Sequence, residues 1–531
     1  ISGNEIFGEI TGNDLTDEQA GIYLSNGTTS SKIRKNKIHD FYFNAGWGYG
    51  AYGIYFNTNS SATESEISNN VIYAIKGDGD AGSITYNPAG IFFRSGGFVK
   101  VYNNSIYLYE DVLGSYNGYS GCISIASGVS LLDIRNNAFR NSMGRTGGSP
   151  SVYTIYTQTN NSAFTNIDYN DYYVTDQPNV SEYIGYLSSN RSSLADWRTA
   201  TGKDLYSVSG DPAFSSATNL LPDANNANSW SIANNGAHLA GITEDINGTT
   251  RPTINSQGTP DIGAYEFGNP VPAPSPVTLA PVTGSNIINI NGKKIVDLNF
   301  GNLGGITGIE VKFYPGEEPP TAGFRNTTRY MNGYFTVTQT GGSGYAYDIK
   351  FFYSECQLGT ITSENNIRLA KTDDNGVTWV PYLSSGTGQG QYELNTDENY
   401  VKVYGLSSFS HFTLTDDDSP LPVNLESFTY RIAKQDVNLN WVTSLEINNS
   451  GFEIERKPSG TNAWYKIGFV EGKNTNPKAE YIFTDSKLNY GKYNYRLKQI
   501  DYNGNYGYYE LKETIEIGLP QKYDLSQNYP N

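Results

Sequence analysis

The stretch that decides the fold is one step repeated along the chain: Asn4-Glu5-Ile6, Asn36-Lys37-Ile38, Asn70-Val71-Ile72, Asn104-Ser105-Ile106, Asn137-Ala138-Phe139 and Asn170-Asp171-Tyr172. Successive asparagines lie 32, 34, 34, 33 and 33 residues apart. Near-equal intervals of this length mark a repeat architecture, in which each unit buries its apolar face only against its neighbours. A second landmark keeps phase with the first. Gly21-Ile22-Tyr23, Gly53-Ile54-Tyr55, Gly90-Ile91-Phe92, Gly121-Cys122-Ile123 and Thr154-Ile155-Tyr156 each open a short strand about half a period before the asparagine. Between the landmarks apolar and polar residues alternate, as at Ile22 and Leu24 or Ile123 and Ile125. That is a strand period, and helical i, i+3, i+4 spacing is absent.

Strand-only repeats of this length are propeller blades or solenoid coils. A blade needs four strands, whereas each repeat here offers two or three. The pattern resembles the right-handed parallel β-helix family, in which stacked corner asparagines hydrogen-bond between coils. The resemblance implies that Asn36, Asn70, Asn104, Asn137 and Asn170 form a structural ladder. Further on, Trp197, Gly210-Asp211-Pro212, Asp245-Ile-Asn-Gly248-Thr-Thr-Arg251-Pro252 and Pro260-Asp261-Ile-Gly263-Ala-Tyr265-Glu266-Phe267 resemble the terminal coils of bacterial secreted β-helix proteins. In a cap of that kind Asp245–Gly248 makes a tight turn, and Arg251 pairs with Asp261 or Glu266. A calcium site built from Asp245, Asn247, Asp261 and Glu266 is the alternative reading of the same oxygens. The β-helix with its cap is therefore expected over 1–267.

Residues 268–276, Gly-Asn-Pro-Val-Pro-Ala-Pro-Ser-Pro, read as a Pro-rich linker. Residues 277–417 alternate short strands with Gly-rich turns, as a β-sandwich does. A second boundary falls at Asp416–Pro422. Residues 420–517, including Val437-Asn-Leu-Asn-Trp441 and Tyr493-Asn-Tyr-Arg-Leu-Lys-Gln-Ile-Asp501, resemble the fibronectin-type-III-like module of type IX secretion cargo. Residues 518–531, ending Asn528-Tyr-Pro-Asn531, resemble a linker and the opening of the sorting signal that follows it. These likenesses imply an all-β chain, a β-helix followed by two β-sandwiches, exported to the outer cell surface.

Composition limits the partners. A net charge of −17 leaves no basic face for phosphates, so nucleic acid is excluded, and no apolar run is long enough to insert in a bilayer. Cys122 and Cys356 fall in different expected domains and read as isolated thiols, and His39, His238 and His411 lack zinc spacing. The chain opens at Ile1 almost directly in a repeat. A mature or truncated product is expected, with earlier coils lost or another chain covering the edge.

Residues 45–50, Ala-Gly-Trp-Gly-Tyr-Gly, sit beside Phe41, Tyr42, Phe43 and Tyr52. Aromatics on such a loop stack on sugar rings or bury at interfaces, which makes Trp47, Tyr49 and Tyr52 the ligand-binding candidates. Asp40 and Glu110 fall just after the repeated step and are read as a solvated polar face. No nucleophile elbow or phosphate-cradling loop emerges, so no catalytic residue is assigned. The expected function is a secreted structural or adhesive protein, self-assembling through β-helix ends. The alternatives are a non-catalytic binder of extracellular polysaccharide and a polysaccharide lyase or hydrolase on the β-helix face.

Overall fold

The computed structural model describes residues 1–8, 19–43, 50–58, 62–110, 118–144, 150–175, 177–320, 329–373, 379–416, 424–446, 449–473, 478–501 and 506–518. The architecture is all-β: a parallel β-solenoid of about five turns, followed by antiparallel sandwich-like sheets. Each coil contributes one strand to each of three parallel sheets. The first sheet stacks Glu5–Phe7, Lys37–Tyr42, Val71–Lys76, Ser105–Leu108, Ala138–Asn141 and Asp171–Val174. The second stacks Gln19–Leu24, Ala51–Asn57, Ala89–Ser95, Tyr119–Ile125, Ser151–Thr157 and Ser181–Leu187. The third stacks Lys32–Arg34, Ser65–Ser68, Gly97–Tyr102, Ser130–Arg135 and Phe164–Asp168. Identical phase puts like on like: Ile38, Ile72, Ile106, Phe139 and Tyr172 are in register along the interior. The interior is a single apolar column, with Ile54, Ile91, Ile123 and Ile155 from the second sheet facing Ile33, Ile67, Val101 and Ile134 from the third.

The corner between the third and first sheets holds the coils together. Asn36 Nδ2 donates to Asn70 Oδ1 at 2.9 Å, Asn70 to Asn104 at 2.9 Å, Asn104 to Asn137 at 2.9 Å and Asn137 to Asn170 at 3.0 Å. Each Oδ1 also accepts the preceding rung's backbone N–H, and each second Nδ2 hydrogen finds a carbonyl, such as Ile33 O, Ile67 O or Val101 O. Every donor and acceptor of these buried amides is thereby used. The residue before each rung, Lys35, Asn69, Asn103, Asn136 or Tyr169, is left-handed, with φ of 54°, 53°, 52°, 58° and 56°. Asparagine tolerates that region best, which explains three of the five.

The solenoid's closing end differs from the terminal coils expected over 194–267. A short helix, Leu194–Thr201, capped by Ser193 Oγ, lays Trp197 across the last strand of the second sheet. Trp197 Nε1 donates to Asp204 at 2.7 Å, and Asp204 also accepts from the Tyr172 hydroxyl and from Ser207. Ser207 Oγ then takes the next rung position, accepting Asn170 N–H at 2.9 Å. Residues 234–267 make no further coil. They run back along the side of the solenoid, against the left-handed corner residues. Asn136 exchanges two hydrogen bonds with Ala237, Asn69 Nδ2 donates to Glu244 O, and Asn103 Nδ2 donates to Asp261 O. The physical reason is the corner itself: a left-handed Asn turns its side-chain amide outward, and the extended segment supplies the missing partners.

Residues 268–276 are also tied down. Val271 N–H donates to Ala224 O, and Pro272 O accepts Trp230 Nε1–H at 2.7 Å. Beyond them lies a sandwich. One sheet is ordered Gly284–Ile290, Lys293–Asn302, Ala346–Phe352, Tyr400–Leu406, Tyr392–Asn395; the facing sheet includes Val277–Leu279, Ile306–Pro315, Gly333–Gly341 and His411–Thr415. Val296, Leu298, Val311, Phe335, Ile349 and Phe351 fill its core. This sandwich and the solenoid belong to one compact unit. A second unit carries the C-terminal module, in which Asn424–Ala433, Asp436–Leu445 and Ala479–Asp485 face a sheet centred on Asn449–Pro458 and Gly491–Asp501. Trp441 is fully buried there, stacked on Tyr481 with centroids 5.3 Å apart. The segments 417–423 and 519–531, which carry the second boundary and the sorting-signal likeness, lie outside the described residues.

Candidate binding surface

Of the three aromatics singled out on the Gly-rich loop, Trp47 and Tyr49 lie outside the described residues. Tyr52 is corrected from ligand contact to packing. It is fully buried, its ring stacks on Phe92 at 5.1 Å, and its hydroxyl donates to Thr85 O. No face of that ring is open to a ligand.

The cap residues are brought together, but along the side of the solenoid. Arg251 is nearly fully buried and donates to the Glu266 carboxylate, to Asp261 O and Gly263 O, and to Asn69 Oδ1. Its ionic partner is thus Glu266, while Asp261 contributes a backbone carbonyl. Asp245 Oδ1 accepts the N–H groups of Asn247 and Thr249, and its Oδ2 accepts Glu266 N–H. Asp261 accepts the N–H groups of Asn234 and Phe267. Burial pushes the Asp261 and Glu266 carboxyls up, with Arg251 opposing the rise at both. The carboxylates of Asp245, Asp261 and Glu266 are therefore engaged by amide N–H groups and by Arg251. Among the described residues, no three His, Cys, Asp or Glu side chains gather in a metal-holding group.

Several acids elsewhere on the solenoid are paired. On the third sheet Arg34 holds Glu66, Lys100 holds Glu64 and Arg135 holds Asp133. On the first sheet Asp40 accepts Tyr42 OH at 2.8 Å and touches His39 Nδ1 at 2.6 Å, while Lys76 holds Glu110. The register sets Phe41 opposite Ile75, so Asp40 aligns with Ala74. In the next coil Tyr73 faces Tyr107, so Leu108, not Glu110, continues that row. A carboxylate pair aimed at a glycosidic bond is not formed by these two.

A different set of residues makes a surface. On the outer side of the second sheet, Tyr23, Tyr55, Phe92, Ser124, Tyr156 and Tyr186 stand in register, one per coil. Tyr55 and Phe92 are buried with Ile84, and Ser124 is buried too, so the row opens to solvent only at its two ends. A parallel row places Tyr153 opposite Tyr183. Tyr23 stacks on Tyr55 at 4.7 Å and is 56% exposed. Across the gap at Ser124, Tyr156 stacks on Tyr119 at 4.1 Å and on Tyr186 at 4.8 Å, and Tyr153 stacks on Tyr183 at 5.5 Å. Tyr156, Tyr183 and Tyr186 are partly exposed. Burial pushes the Tyr153 hydroxyl up to about 12 and raises Tyr119 and Tyr156 as well. Strands favour such residues because cross-strand aromatic pairs are stabilising.

The signal for this row was in the repeat. The third residue of the Gly-Ile-Tyr landmark is the outward position. At Gly121, however, the landmark slips by one: Ile123, not Cys122, is in register with Ile91, so Ser124 takes the aromatic slot. A one-residue slip exchanges faces, which hides the row in that coil.

Comparison with protein-family models finds none that matches the chain, and comparison with curated proteins finds none either.

Proposed function

We propose that this chain is an extracellular adhesive protein whose solenoid binds polysaccharide at the exposed tyrosines that end the aromatic row of its second sheet, without catalysing a reaction. The observation that carries the reading is the in-register row itself, with Tyr23 at one end and Tyr156 and Tyr186 at the other. Coils repeat every ~4.8 Å, so Tyr156 and Tyr186, on adjacent coils, present their rings at about that spacing. Aromatic faces pack against the apolar face of a sugar ring; Tyr156 is stacked on both faces, so the terminal rings Tyr23, Tyr183 and Tyr186 offer the stacking faces, and phenol hydroxyls supply the polar handle. Export to the cell surface by a type IX route is supported by the sequence likeness of residues 420–531 to cargo of that system.

The test is affinity electrophoresis of the full chain against a panel of neutral and acidic polysaccharides, with Tyr183→Ser/Tyr186→Ser as the variant. Losing two stacking contacts at ~0.5–1.5 kcal/mol each weakens binding by about five- to over a hundredfold. Retardation of the wild type by no polymer sinks the reading, as does retardation that the double variant leaves unchanged. Release of new sugar ends from any bound polymer would replace it with the enzyme reading.

A further inference from the structure

A cavity of about 150 Å³ lies where the loop after the solenoid meets the first sandwich, walled by Trp230, Ile290, Ile295 and Phe313. Lys293 lines it and is only 6% exposed. The residue follows the hairpin turn at Asn291-Gly292, where both turn residues have positive φ and Arg198 Nη1 donates to Gly292 O. Its ammonium has three hydrogens to place. Asn235 Oδ1 at 3.4 Å and Gln357 Oε1 at 3.3 Å are its hydrogen-bond acceptors among the described residues, both neutral and both long. No ion pair with a described carboxylate compensates the buried charge. Asp211, the acid in the cavity wall, is taken by Arg140 Nη1 at 2.9 Å and by Ala213 N–H.

A buried ammonium without a counter-ion is costly, and the space beside it is apolar on one side and polar on the other. We propose that the cavity is a binding site for a small monocarboxylate with a short apolar body, its carboxylate on Lys293 and its tail against Trp230 and Phe313. A dry cavity of about 150 Å³ accommodates a guest the size of benzene, which bounds the ligand to a few carbons. Burial holds the Lys293 amine down at about 8; Cys356 and Asp168 favour its charged form and Arg198 opposes it. A carboxylate bound there adds the missing negative charge and restores the ammonium. The site is separate from the tyrosine row, and the proposal stands independently of the polysaccharide reading.

The probe is butyrate, titrated into the full chain by ligand-observed NMR, with butyramide as the neutral analogue. At about pH 6.5 butyrate binds and butyramide does not compete. Lys293→Met weakens binding about tenfold to a hundredfold, the worth of a charge-assisted hydrogen bond. At about pH 9.5 the wild type also loses binding, whereas surface lysines keep their charge there. Mass-spectrometric mapping of acetylation by acetic anhydride gives a second readout that needs no variant: butyrate protects Lys293 selectively. Butyrate binding that persists in Lys293→Met or at high pH overturns the proposal. So does its absence from the wild type, which leaves a water-filled cavity.

Discussion

Asn104 stands at the middle of the corner ladder, and replacing it with alanine tests how the coils are held. Its Oδ1 accepts both the backbone N–H and the Nδ2–H of Asn70, at 3.0 and 2.9 Å, and its own Nδ2 donates to Asn137 Oδ1 at 2.9 Å and Ile67 O at 3.0 Å. Alanine severs all of these side-chain bonds and leaves two Asn70 donors buried without those acceptors, because the site is fully closed to solvent. At about 1 kcal/mol net per bond the loss is about 4 kcal/mol, and the orphaned groups push it upward. Asn4→Ala is the internal control. Asn4 is exposed, and its Nδ2 donates to Asn36 Oδ1 and to Ser2 O, so its loss costs about 1 kcal/mol. The assay is urea denaturation of the full chain followed by circular dichroism, comparing transition midpoints at equal slope. Asn104→Asp is the sharper probe: it keeps the acceptor and loses the donors, and its penalty shrinks as pH falls and the new carboxyl protonates. An Asn104→Ala cost below about 1 kcal/mol, or equal to that of Asn4→Ala, refutes the view that the ladder carries the inter-coil energy.

Arg251→Lys cannot reach the Glu266 carboxylate, two carbonyls and Asn69 together, and is expected to destabilise by about 3–5 kcal/mol and to open the 234–267 segment to limited proteolysis. Lys293→Met is expected to stabilise. The native amine, held at about 8 against an ordinary value of 10.5, binds fewer protons than the unfolded chain between those values, so its penalty is full below pH 8 and fades as pH rises. The stability gain is therefore up to about 3 kcal/mol below pH 8 and vanishes by about pH 10.5, read as a shift in the thermal midpoint; an equal gain at both ends contradicts the assignment. Gly185→Ala places a Cβ 2.4 Å from the Trp197 ring, which its bond to Asp204 prevents from moving aside, and should cost about 1–3 kcal/mol, read from the thermal midpoint and tryptophan fluorescence.

The fold was legible where the chain repeats itself. Asn36 through Asn170 announce the corner because a buried amide ladder demands the same residue at every coil, and Ile54, Ile91 and Ile155 announce the interior because stacked side chains demand the same phase. Legibility ended with the repeat. Nothing in Asp245, Arg251 or Glu266 says whether their cluster covers an end or a side. That is decided by Asn69, Asn103 and Asn136, whose outward amides are a consequence of backbone conformation. Lys293 follows Asn291-Gly292, a turn that reads as exposed, and its burial arises from elements distant in sequence. Tyr156 was visible as the third residue of its landmark, Tyr186 was not, and the slip at Gly121 concealed the face they share.

The side-running segment 234–267 also bears on the order of assembly. A bare solenoid can grow from any coil, each stabilised by its neighbour alone. Here Asn69 and Asn136 wait for Glu244 and Ala237, partners 175 and 101 residues later in the chain. During synthesis the early coils can stack, yet their corner stays unzipped until the polypeptide has passed residue 267. Contacts of such long sequence separation slow folding, so a chain interrupted before that point would hold stacked coils with an open seam, the exposed state most prone to capture by proteases or by other unfinished copies.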